Sequence, residues 1–177
     1  HCKLLTNREM LLDALPKRGV VAEIGVAFGD FTSEILERAC PATLHLIDSW
    51  ESERYTTGLD HIREKFKKEI SREQVLIRRG QSIEVLKSLP VGAFDWVYLD
   101  TNHTYATTIE ELRLAERAVK MDGFIAGHDY CTGNVIDAVP YGVIEAVAEF
   151  CYFNNWRFIY LTLETRGHMS FCLEKIK

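Results

Sequence analysis

No run of apolar residues in this chain approaches the ~20 needed to cross a bilayer, which excludes a membrane-spanning helix. The five cysteines, Cys2, Cys40, Cys131, Cys151 and Cys172, include no CxxC pair and are odd in number, so zinc-finger spacing is absent. They read as free thiols of a reducing compartment, with Cys151 on the apolar side of a helix and Cys172 in a strand. No signal peptide is recognised, and the expectation is a cytoplasmic protein with no membrane partner; because the chain opens on His1, a targeting segment ahead of it is left open. A polyanion-binding face is also missing. The net charge is -5, and the densest basic stretch, Arg63, Lys65, Lys67 and Lys68, is interleaved with Glu64 and Glu69 as on a solvated helix face. No nucleic-acid partner is therefore expected. The chain has no internal repeat, low-complexity tract or Pro/Gly/Ser-rich linker, and its 177 residues suit one domain over 1–177.

What is present is a regular alternation of strand-like and helical patterns. Residues 7–15 place Met10, Leu11, Leu12 and Leu15 on a helix closed by Pro16 and Gly19. Val20–Gly25 is a buried strand. Asp30 or Thr32 is expected to cap the next helix, whose apolar positions Phe31, Ile35 and Ala39 fall four apart until Pro41. Thr43–Ile47 is a strand ending at Asp48, 59–70 an exposed amphipathic helix, and Val75–Ile77 a strand ending near Gly80. A helix over Ser82 to Leu89, a strand over Phe94–Leu99, a helix over 106–119 and a strand over Gly123–Ala126 follow. Residues 142–153 form the last helix, and strands at Arg157–Leu163 and Met169–Leu173 are joined by a turn at Arg166-Gly167. Five strand–helix units predict a parallel sheet covered on both faces. The terminal pair has too short a connection for a parallel crossover and must be an antiparallel hairpin.

Open α/β sheets bind ligands outside the carboxyl ends of their strands. Here those ends read Glu23-Ile24-Gly25, Asp48-Ser49-Trp50, Gly80-Gln81-Ser82, Asp100-Thr101-Asn102-His103 and His128-Asp129-Tyr130. Acids and histidines on otherwise apolar strands are costly unless paired or bound to something. In the first loop, Gly25 permits a sharp turn and Gly29 opens the following helix, with Val26 and Ala27 between them. The loop is neither GxGxxG nor a P-loop, and Glu23 would repel a pyrophosphate and attract an amino group. Asp48 is placed to accept a pair of ribose hydroxyls. Trp50 is placed either to cover a base or to fill core, and Gln81 and Ser82 to read a base edge.

These segments resemble the class I S-adenosylmethionine (SAM)-dependent methyltransferases, and within them a small subgroup that includes the macrocin-type sugar O-methyltransferases. The resemblance is carried by VAEIGVAFGDFTSEIL, LIDSW, RRGQSIEVL, FDWVYLDTNHTYATTIEEL, AVKMDGFIAGHDY and GVIEAVAEF, from Val20 to Phe150. It implies a Rossmann-like methyltransferase fold: a mostly parallel seven-stranded sheet with a C-terminal antiparallel hairpin. It also implies SAM held by Glu23, Gly25, Val26, Ala27, Gly29, Asp48, Ser49, Trp50, Gly80, Gln81, Ser82, Asp100 and His103. The chain departs from the pattern at Thr101-Asn102, where relatives carry a Gly-Asp or similar pair, and at Met121-Asp122-Gly123, where they have a Pro-Gly-Gly turn. Asn102 in place of an acid weakens the case for a strongly anionic metal site.

Methyl transfer to oxygen needs alignment and a deprotonated acceptor. His103 and His128 are the candidate bases, with Asp129 beside them, while His45 and His61 read as structural. Asp100 and Asp129 end adjacent strands, where Mg²⁺ or Mn²⁺ would suit their oxygens. Tyr55, Tyr105, Tyr130 and Tyr141 either shape an acceptor pocket or pack the sheet edge. Lacking a large lid, the chain is expected to act on a small hydroxylated molecule, a sugar or secondary metabolite, with a homodimer as one way to complete the pocket. The alternatives are a non-catalytic SAM- or partner-binding module on the same fold, and a nucleotide-dependent oxidoreductase, against which the missing GxGxxG counts.

Overall fold

The computed structural model describes residues 2–134, 138–164 and 167–177. Its elements in chain order are β1 (Lys3–Leu5), α1 (Arg8–Ala14), β2 (Val20–Ile24), α2 (Asp30–Ala39), β3 (Thr43–Asp48), α3 (Gly58–Lys65), α4 (Lys67–Ser71), β4 (Val75–Arg79) and α5 (Ser82–Ser88). Then come β5 (Phe94–Leu99), α6 (Tyr105–Ala118), β6 (Val119–Gly127), β7 (Gly133–Asn134), β8 (Val139–Pro140), α7 (Val143–Asn154), β9 (Trp156–Thr162) and β10 (Phe171–Lys175). Among the described residues one eight-stranded sheet has the order β1-β9-β10-β6-β5-β2-β3-β4, and β7 pairs with β8 in a second, two-stranded sheet. Every pairing in the large sheet is parallel except those of β10 with β6 and β9. This is the Rossmann-like methyltransferase arrangement, with the expected C-terminal hairpin.

The sheet has eight strands where seven were expected. The extra one, β1, pairs parallel with β9 at the edge. It is three residues long and largely exposed, so it carries no apolar alternation to read. The helix expected over 59–70 breaks at Phe66, whose ring turns inward and packs with Ile62 over Gly29. Strand β6 begins four residues earlier than expected because Val119 already pairs with Phe94, ahead of a register shift between Phe94 and Trp96. Of the expected Arg166-Gly167 turn, Arg166 lies outside the described residues and Gly167 has φ +77.

The core lies on both faces of the sheet, as burial of two-sided parallel strands requires. Leu86, Ile109, Leu112, Val143, Val147 and Phe150 of α5, α6 and α7 cover one face. Leu11, Leu12, Ile35, Ile62 and Phe66 of α1, α2, α3 and the bend after it cover the other. From β2 the chain steps outward to β3 and β4, then returns to β5 on the opposite side of β2. The crevice at that reversal, between the carboxyl ends of β2 and β5, is where this architecture accommodates ligands. Among the described residues no helix is long and apolar enough to cross a membrane.

Candidate functional site

The crevice is built by two loops in direct contact. Gly25 has φ +88, and a Cβ added there would meet the Asp100 carbonyl oxygen at 1.9 Å. Only glycine lets the β2 loop lie this close to the end of β5. From β3, Asp48 Oδ2 accepts the backbone N–H groups of Val26 at 2.8 Å and Ala27 at 3.0 Å, and Oδ1 accepts that of Trp50 at 2.8 Å. The Trp50 indole is 2% exposed and donates to the Ala27 carbonyl at 2.9 Å. One carboxylate and one indole therefore fix the loop from below.

The resulting cleft has a volume of about 590 Å³, within the range of small-ligand sites. Of the residues expected to hold a cofactor, Glu23, Gly25, Val26, Ala27, Asp48, Ser49, Gln81, Ser82, Asp100 and His103 line it. Gly29, Trp50 and Gly80 do not. Gly29 is packed under Ile62 and Phe66, Trp50 is core beneath the loop rather than a cover, and Gly80 turns against Val85. The expected caps of α2 also fall elsewhere. Gly29 is the N-cap, Asp30 is the first helical residue, and Thr32 donates its hydroxyl to Glu23 Oε2 at 2.5 Å.

Glu23 is 1% exposed. Burial pushes its carboxyl up to about 8; the Thr32 hydrogen bond opposes this, while the charges of Asp100 and Asp48 add to it and that of Arg8 opposes it. Arg8 lines the same cleft, its guanidinium 4.7 Å from the Phe31 ring centroid. Nothing in the sequence pattern marks Arg8, since it sits on a helix whose periodicity speaks only of core.

At the other end of the cleft the β5 and β6 ends converge. His103 Nε2 lies 2.7 Å from Asp129 Oδ2 and 3.3 Å from Asp100 Oδ1. His128 Nδ1 is 3.3 Å from Asp129 Oδ1 and 3.8 Å from Asp100 Oδ2. His168, from the β9–β10 connection, brings Nδ1 onto the same Asp129 Oδ1. The Cys131 Sγ lies 3.8 Å from that Nδ1. His103 faces the cleft and stacks on Tyr141 at 4.5 Å, whereas His128 lines a small recess behind it with Glu111. Burial works against charge on His103, but its bonds to Asp100 and Asp129 prevail and hold the imidazole up at about 9. Burial likewise opposes the charge on Asp129, and hydrogen bonds from His103 and His128 prevail to hold it below the usual carboxylate range. Both His103 and Asp129 have left-handed backbones, φ +62 and +55, a conformation that costs a non-glycine residue and concentrates at functional sites.

Between Asp100 and Asp129, the expected place for Mg²⁺ or Mn²⁺, His103 Nε2 bridges the two carboxylates, so a hard cation there would have to displace that imidazole from both oxygens. His168 and Cys131 carry no sequence signal, because only the hairpin's return to the rim brings them to Asp129. Among the four tyrosines, Tyr55 lines the cleft and Tyr141 covers His103. The Tyr105 hydroxyl donates to Glu149 at 2.7 Å, and Tyr130 packs edge-on against Phe158 and Phe171. Of the histidines read as structural, His45 is buried against Phe94 and accepts from Arg78; burial, then that charge, lowers it to about 4.

A family model described as a methyltransferase domain matches residues 22–130. No curated protein matches the chain. Among solved structures, a protein provisionally described as an rRNA-methylase from Clostridium thermocellum is similar with a TM-score of 0.71 at 15% identity, over 98% of each chain. A SAM-dependent methyltransferase from Aquifex aeolicus is similar with a TM-score of 0.68 at 13% identity, over 94% of this chain and 87% of that one. A protein provisionally described as an O-methyltransferase from Klebsiella pneumoniae is similar with a TM-score of 0.64 at 19% identity, over 97% of this chain and 80% of that one. At these identities the likeness is one of fold.

Proposed function

Since the chain belongs to the methyltransferase-domain family, we propose that it transfers the methyl group of SAM to a hydroxyl of a small acceptor. The supporting observation is the acid-lined cleft at the β2–β5 crevice, where the glycine turn at Gly25 meets Glu23, Asp48 and Asp100. SAM supplies a methyl group on a sulfonium, a cationic electrophile with a neutral leaving group. Glu23 and Arg8 stand at the β2 end, where a carboxylate suits the ammonium and a guanidinium the carboxylate of an amino acid. Asp48 retains acceptor capacity beyond its three backbone bonds and faces the cleft for the ribose. Gln81, whose Nε2 donates to Glu51 at 2.7 Å, and Ser82 stand where a base edge is read. Asp100 lies between the sulfonium side and His103, favouring positive charge there. His103 reaches the cleft and is the group proposed to take the acceptor proton in its neutral form, so turnover rises with pH toward about 9; Asp129 orients it and His128 lies behind.

A small neutral acceptor is favoured over a nucleic acid. Asp30, Asp48, Glu51 and Asp100 line the cleft as carboxylates against Arg8, Arg54 and His103, and the chain carries a net charge of -5, so a phosphate backbone finds no basic face here. Calorimetry with SAM and its demethylated product, followed by methyl-transfer assays on hydroxylated acceptors, tests the reading. Micromolar binding with turnover supports it. Binding without turnover on any acceptor would make the chain a SAM-binding module, and absence of binding would overturn the cofactor assignment.

A further inference from the structure

Asp129 gathers three imidazoles on one carboxylate. His103 occupies its Oδ2, and His128 and His168 both address its Oδ1. The side of Asp129 away from the cleft carries a different chemistry from the side facing it. There Cys131, two residues on, points its Sγ toward His168, and the ligand atoms of Asp129, Cys131 and His168 all lie within 4.8 Å of one another. The backbone holds this arrangement from both sides. Tyr130 N–H donates to the Met169 carbonyl at 2.9 Å, tying the loop after β6 to the hairpin connection, and Cys131 N–H donates to the Asp129 carbonyl at 2.7 Å across the left-handed turn at Asp129. Asp129 is itself buried, while Cys131 and His168 are half-buried, which leaves an entry path from solvent.

We propose that Asp129, Cys131 and His168 form a site for a borderline divalent metal ion, Zn²⁺ by its donor set, on the outer face of Asp129. One carboxylate oxygen, one thiolate and one imidazole nitrogen leave the fourth tetrahedral position open, the composition of a zinc site that retains a solvent ligand. Zinc bond lengths of about 2.0–2.3 Å place tetrahedral donors roughly 3.4–3.6 Å apart. The 3.8 Å between Cys131 Sγ and His168 Nδ1 is already close to that. The direct contact between His168 and Asp129 then opens to admit the ion, and Cys131 releases its thiol proton on binding. Nitrogen and sulfur donors discriminate against Mg²⁺. Occupancy fixes the hairpin connection to the rim and engages Asp129 Oδ1, while Oδ2 remains on His103. The site shares Asp129 with the methyl-transfer reading but does not rest on that reading, and metal binding alone tests it.

The experiment is a titration with Co²⁺, in a Cys2→Ser/Cys40→Ser background that removes the two exposed thiols. The expected result is a near-ultraviolet thiolate-to-cobalt charge-transfer band that saturates at one molar equivalent. Zn²⁺ displaces it and excess Mg²⁺ does not. Cys131→Ser abolishes the band, and His168→Ala weakens binding by about tenfold or more. His168→Gln, which keeps a polar group beside Asp129, weakens it likewise. Thermal melts of the metal-free variants report whether each still folds. Absence of the band, or its survival in Cys131→Ser, overturns the proposal. So does loss of binding in Asp100→Asn together with unchanged binding in both His168 variants, which places the ion on the inner, His103 side.

Discussion

His103 Nε2 and Asp129 Oδ2 stand 2.7 Å apart across the carboxyl ends of the neighbouring strands β5 and β6, and His103 alone of the pair faces the cleft. Replacing it removes the proposed proton acceptor without touching Gly25, Asp48 or the loop they set. His103→Gln should lower kcat by about 10²–10⁴ while the dissociation constant for SAM changes little. Asp129→Asn should also lower kcat, with a smaller loss, because the imidazole stays in place but loses its orienting carboxylate. Single-turnover methyl transfer beside SAM calorimetry separates the two effects. A His103→Gln enzyme with full turnover removes the assignment.

Glu23 gives a pH signature. Its carboxyl is raised from 4.5 to about 8 in the folded protein. Between those values the native state holds a proton that the unfolded chain has released, so stability falls as pH rises through this window. The thermal midpoint of the ligand-free protein should therefore decline from pH 5 to pH 8 relative to Glu23→Gln, which has nothing to titrate there. An ammonium group bound beside Glu23 draws the carboxyl back to its ionised form. SAM binding at pH 7 should then release a proton, seen as a dependence of the calorimetric enthalpy on buffer ionisation. An enthalpy independent of the buffer would place the ammonium elsewhere.

The parts of this site legible in the sequence are those where a polar residue stands at or beside the last position of a buried strand. Glu23, Asp48 and Asp100 announce themselves this way, because the alternation that makes a strand also marks where its side chains stop being covered. The five-unit alternation and the short final connection likewise lead to the parallel sheet and its hairpin. Three features were not legible, each for its own reason. β1 is a largely exposed edge strand held by pairing with β9 and by the packing of Leu5 alone against the core. Trp50 offers the same side chain to a ligand or to the core, and its left-handed backbone and bond to Ala27 decide for the core. His168 meets Asp129 through a connection whose path depends on where β10 inserts between β9 and β6.

Of the glycines, Gly25 allows the tightest approach to a neighbour, and its replacement should be felt in both stability and binding. Gly25→Ala forces a Cβ to 1.9 Å from the Asp100 carbonyl oxygen in a left-handed backbone. The left-handed conformation costs about 1–2 kcal/mol, and the displaced backbone adds about 1–3 kcal/mol. Chemical denaturation should show a loss in that range, and SAM affinity should fall because the β2 loop has moved off the end of β5. Wild-type stability in the alanine variant would mean that the two loops can separate freely.

Asp48 allows the structural and ligand-binding uses of one carboxylate to be told apart. Asp48→Ala leaves the N–H groups of Val26, Ala27 and Trp50 without their acceptor, and each orphaned donor that water does not reach costs about 1–3 kcal/mol. Asp48→Asn can keep its amide oxygen on Val26 and Ala27, but it turns an NH₂ toward the Trp50 N–H, so one bond is lost rather than three. Stability should therefore order as wild type above Asp48→Asn above Asp48→Ala. Affinity for SAM should not follow that order. An amide cannot accept both ribose hydroxyls, so Asp48→Asn should lose most of the affinity that Asp48→Ala loses while keeping most of the stability. Denaturant midpoints and calorimetric dissociation constants measured on the same three proteins give the comparison. If affinity simply tracks stability through the series, Asp48 acts only by holding the loop, and the ribose must be bound by another group.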